Sequence, residues 1–94
     1  MTSPAIKLRD AAAIIEQRSD YHGDFRTNMK NTAAFWSRYL GCPITPTNVA
    51  VMNCAQKISR MISGGISNAD DYDDLIGWAA IAAALNSDDE DEDG

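Results

Sequence analysis

Residues 24–46, DFRTNMKNTAAFWSRYLGCPITP, decide how the rest of the chain is read. Phe25, Met29, Thr32 and Ala33, Trp36 and Leu40 recur at steps of three and four, which lines them up along one face of a helix running from about Asp24 to Leu40. Gly41 follows directly, and glycine takes the left-handed conformation that ends helices at little cost. Cys42-Pro43-Ile44 is a short connection. Thr45-Pro46 then pairs a side-chain acceptor with a proline at the first helical position, where the missing N–H is no loss. A buried helical stripe, a stop and a fresh start are thus predicted in one short run.

The same signals recur on both sides. Ser3-Pro4 opens a first helix to about Arg18, with Ile6, Ala11, Ile14 and Ile15 on one face, before Ser19-Asp20-Tyr21-His22-Gly23 breaks it. The helix after Thr45-Pro46 runs to about Ile62 with Val51/Met52, Ala55, Ile58/Ser59 and Ile62 as its expected inner stripe, and Gly64-Gly65 ends it. Ser67 is the expected cap of a fourth helix, with acids in its first turn and an inner stripe of Tyr72, Leu75, Ala79, Ala82 and Leu85. No stretch alternates apolar and polar for long. The expected fold is all-α: a small four-helix domain over 1–86 with short loops, followed by a disordered acidic C-terminal tail at 87–94.

Charge placement narrows the function classes. The formal net charge of −6 comes from eight Lys+Arg against fourteen Asp+Glu, and residues 88–94 alone carry six of those acids. The body therefore balances eight acids with eight bases. It lacks the basic face that direct nucleic-acid binding needs. No apolar run approaches the roughly 20 residues of a membrane span, and the first residues hold no signal-peptide core, so the expected location is the cytoplasm. Two cysteines, Cys42 and Cys54, and one histidine, His22, make a structural zinc site unworkable and free thiols the expectation. A core this small leaves apolar surface to share, which makes a homodimer an expected state.

Three polar groups are candidates for a site. Lys57 and Arg60, three apart on one helix face, have the spacing to grip a phosphate or carboxylate. Asp70 and Asp74, one turn apart, can hold a magnesium ion or else pair with those two cations across the Gly64-Gly65 turn. Asp71 and Asp73 read as ordinary first-turn acids. Arg18, Asp20, Tyr21 and His22 meet in one irregular segment of the kind that often binds. No serine or cysteine sits in a nucleophile elbow, and Gly64-Gly65 has no phosphate-loop Lys-Ser/Thr after it.

Several strings resemble a family of short phage proteins. Trp36-Ser37-Arg38-Tyr39-Leu40-Gly41 matches its W-S-x-Y-L-G, Pro43-Ile44-Thr45 its P-I-T, and Val49-Ala50-Val51-Met52 the V-A-x-M of its D-V-A-x-M. Lys57 and Arg60 match K-x-x-R, and Asp70, Asp74, Gly77, Trp78 and Ala79 follow D-x-x-x-D-x-x-G-Y-A with Trp for Tyr. Arg18, Asp20 and Tyr21 match R-x-x-D-Y-G with His22 inserted, and Asn48 stands where the pattern has Asp. The likeness covers about Ala11 to Leu85 and leaves out the acidic tail. It implies a phage origin and a small helical fold, without an activity.

The reading these residues favour is a phage accessory protein, active in the infected host cell in takeover or anti-defence. It acts by binding either a nucleotide-like anion or a host protein. Arg18, Asp20, Tyr21, Trp36, Lys57, Arg60, Asp70 and Asp74 are the expected ligand-binding residues, with Tyr21 or Trp36 stacking on a base. No cofactor is expected. One alternative is a MazG-like magnesium-dependent nucleotide pyrophosphohydrolase, which Asp70-x-x-x-Asp74 resembles, although Glu16 is the only glutamate on an earlier helix, with no second one four residues away. The other is a decoy in which the acidic tail mimics nucleic acid for a host enzyme.

Overall fold

The computed structural model describes the backbone of residues 2–22 and 24–93 and the side chains of residues 2–18 and 24–89. Four helices follow one another: α1 Pro4–His22, α2 Phe25–Leu40, α3 Pro46–Gly64 and α4 Ala69–Asp93. No strand occurs among the described residues. The all-α, four-helix expectation holds, and no described helix is long and apolar enough to cross a membrane.

Most ends follow the local signals. Ser3 Oγ accepts from the Ile6 N–H at 3.2 Å and starts α1. Asp24 caps α2 by accepting from the Arg26 N–H, and Gly41 ends it in the left-handed region at φ 71°. Thr45 and Asn48 form a reciprocal capping box at the start of α3. Gly65, at φ 97°, lets its N–H reach the Met61 carbonyl and stops that helix. α4 is a correction: its cap is Asn68, whose side chain accepts from the Asp70 N–H at 3.0 Å, and not Ser67. α1 also continues beyond Arg18 through the segment read as a break.

α4 is the spine, packed against α1 on one side and α3 on the other, while α2 packs against α3. The buried core is Met29, Ala33, Val49, Ala50 and Leu85, with Phe25, Trp36, Ile44, Trp78, Ile81 and Ala82 closing around it. Ala11 of α1 is buried as well. Trp36 is therefore a half-buried packing residue beside the core.

The expected stripe of α3 is overturned. Val51, Met52, Ala55, Ile58 and Ile62 are all exposed. The inward face carries Val49, Ala50, Asn53, Cys54, Lys57 and Met61 instead. On α4 the expected stripe holds at Leu75, Ala82 and Leu85, whereas Tyr72 and Ala79 face outward. The path of α4 extends into the acidic stretch, where Asp88 Oδ2 meets Arg26 Nε at 2.8 Å and Asp89 accepts from the Thr47 hydroxyl at 3.3 Å.

Candidate functional site

A cleft of about 430 Å³ opens between α1, α2 and α4. Its origin is the packing order: α1 and α2 both lean on the rest of the bundle but not closely on each other, so the space between them stays open. The apolar walls come from Ala11, Ile14 and Ile15 of α1, Phe25 and Met29 of α2, and Trp78 and Ile81 of α4. Gly77 brings α1 close, its nearest neighbour across the contact being Ile15. Arg18, Asn28, Asp73 and Asp74 supply the polar lining.

Those polar groups are organised by α1 lying across α4. Arg18 Nη2 donates to Asp74 Oδ1 at 3.3 Å, and Lys57 Nζ of α3 stands 3.1 Å from Asp74 Oδ2. Asp74 thus shares two cations from two helices. Lys57 and Asp74 are only 17% and 20% exposed, so this pair is less screened by water than a surface ion pair. Lys7 reaches Asp73 Oδ1 at 3.4 Å, an ion pair without hydrogen-bond geometry. That carboxylate oxygen is buried and receives no hydrogen bond, although it belongs to a cleft-lining residue.

Arg18 and Asp74 are brought together as sequence-selected residues, with Lys57 behind them. Lys57 and Arg60 do not form one grip. Lys57 turns inward to Asp74, while Arg60 lines a separate shallow depression with Ser59, Ser63, Gly64, Asn68 and Asp71. The reason is angular: residues three apart on a helix diverge by about 60°, enough to send one inward and leave the other in solvent. Asp70 is exposed and has no ion pair among the described residues, so its expected pairing with Arg60 is absent. Trp36 lies on the core side and does not line the cleft. The side chains of Asp20, Tyr21 and His22 fall outside the described residues.

Sequence reasoning missed Asp73, Lys7, Phe25 and Trp78 as parts of the site. The available signal was the pair of i, i+4 steps in Asp73-Asp74-Leu75-Ile76-Gly77-Trp78, which stacks each carboxylate on one residue of the cleft wall. Burial pushes the thiol of Cys54 upward, as desolvation disfavours the thiolate, and Cys42 is exposed; neither borders the cleft. No group of three or more His, Cys, Asp or Glu able to hold a metal ion occurs among the described residues.

The match to known proteins covers this framework. Residues 7–86 match the family described as a domain of unknown function, DUF6378. The chain belongs to that family. It is also similar to the Gene 55 protein of Mycobacterium phage L5, with 36% identity over 76 residues, 79% of this chain and 48% of the relative. The chain thus spans about half the length of that curated relative. No solved structure matches. The family relation and a phage relative agree with the motif resemblance and support a phage origin. The matched span takes in Lys7, Arg18, Lys57, Asp73, Asp74 and Trp78, and leaves the acidic stretch outside.

Proposed function

We propose that this chain is a phage accessory protein that works by binding, and that the cleft between α1, α2 and α4 takes a small, flat, nucleotide-like ligand. The observation that carries this is the cleft's division of labour: apolar and aromatic walls beside the Arg18–Asp74 pair and Asp73. Binding sites for small molecules commonly combine an apolar lining with a few convergent polar groups. A planar base fits between Trp78 with Phe25 and the isoleucines of α1. An amine on that base can donate to the carboxylates of Asp73 and Asp74 that line the cleft. An anionic group is drawn to Arg18, which has donors beyond the single one directed at Asp74.

The test is thermal unfolding of the purified protein with nucleosides, nucleotides and cyclic nucleotides, each with and without magnesium. A ligand at 100 times its dissociation constant adds about 2.7 kcal/mol, which raises the melting temperature of a domain this small by about 10 °C or more. Arg18→Ala should keep the fold and reduce the shift given by nucleotides to that given by nucleosides. No shift with any of these compounds overturns the reading. Magnesium-dependent release of pyrophosphate or phosphate would replace binding by hydrolysis as the activity.

A further inference from the structure

α3 carries two stripes of the same spacing, one residue out of phase. Ala50, Cys54, Lys57 and Met61 follow the steps four, three, four and face the bundle. Val51, Ala55, Ile58 and Ile62 follow the same steps and face water. The outward stripe is the more apolar of the two, and Val51, Ile58 and Ile62 are 52%, 47% and 80% exposed. Met52, beside it, is exposed too. Ile66, just past the end of the helix, is exposed as well, and there the Tyr72 hydroxyl donates to the Ile66 carbonyl at 2.7 Å and fixes the turn.

We propose that this outer face of α3 is the contact between two copies of the chain. Three observations point to a second copy. The four-three-four spacing is that of helices that pair side by side, and a stripe of this kind fits its own image. The sector holds no charge: Lys57 points inward to Asp74 and Arg60 lies beyond the stripe in its own depression, so a two-fold axis brings no like charges together. The surface area also fits. The chain exposes 6815 Å², against about 5,300 Å² expected of a compact monomer of its mass. The difference exceeds the roughly 800 Å² that each partner buries in a standard interface.

This proposal stands apart from the ligand reading, since no residue of α3 lines the cleft. Light scattering coupled to size exclusion, run at roughly 1 to 100 μM, reads the mass directly. The expected result is a dimer whose dissociation constant rises about a hundredfold or more in Ile58→Glu/Ile62→Glu. Ile62→Glu alone, at a site 80% exposed, should retain the helical circular dichroism of the wild type and still weaken the dimer. Phe35→Glu, an exposed aromatic on α2, should leave it unchanged. A wild-type chain that is monomeric across the range overturns the proposal. So does a dimer that survives the α3 variants or is broken by Phe35→Glu.

Discussion

Asn48 stands where the family pattern has an aspartate, and its contacts explain why either residue serves. Its side-chain oxygen accepts from the Thr45 N–H at 3.0 Å while its own N–H donates to Thr45 Oγ1 at 3.0 Å. Both asparagine and aspartate offer that oxygen; the amide's donor end is not used in the cap. Asn48→Asp should therefore leave stability unchanged or raise it by a few tenths of a kcal/mol, as an acid suits a helix start. Asn48→Ala should cost about 0.5–1 kcal/mol, measured by urea unfolding. The departure at position 48 thus concerns the start of a helix and makes no demand for a catalytic carboxylate. Residue chemistry of this local kind was legible in the sequence, because a cap joins groups three positions apart. The fate of Lys57 was not, because Asp74 reaches it from another helix.

At the level of the element, α4 holds the bundle together, and Gly77 marks where α1 rests on it. A Cβ built at Gly77 meets only Ile15 Cγ1, at 3.8 Å, which is ordinary contact. Glycine within a helix costs about 1 kcal/mol relative to alanine. Gly77→Ala should accordingly stabilise the protein by up to about 1 kcal/mol, read as a melting temperature higher by about 4–8 °C. Because Gly77 also lines the cleft, the same variant should weaken any nucleotide-induced shift. The element boundaries followed from the sequence with few exceptions, Ser67 giving way to Asn68 as the cap of α4. The buried face of α3 did not follow. Two stripes of identical period differ by a rotation of about 100°, and hydrophobicity favours the one that the bundle leaves in water.

For the whole molecule, the decisive property is how little is buried. Among the described residues, five make the central core, and two of them are alanines. The radius of gyration of 14.5 Å exceeds the roughly 12 Å expected of a compact chain of this length. Leu85 is the largest contribution of α4 to that core, and Leu85→Ala should cost about 2–5 kcal/mol. Against the roughly 5–15 kcal/mol typical of a folded domain, that loss should shift cooperative urea unfolding at 25 °C to far lower denaturant or abolish it. A second copy covering α3 would make that stability depend on protein concentration.

Four helices, most of their ends, the neutral body and the likeness to the family were all legible from the order of residues alone. Caps, glycine turns and three-to-four-residue periodicity act within a turn or two of chain, so neighbours in sequence are enough to set them. Long-range packing set which stripe of α3 turns inward, that Asp74 is shared by Arg18 and Lys57, and that Asp73 and Trp78 border a cleft. These depend on where α1 crosses α4 and on the gap left between α1 and α2. Such distances arise from the packing of helices far apart in the chain, which no local period encodes.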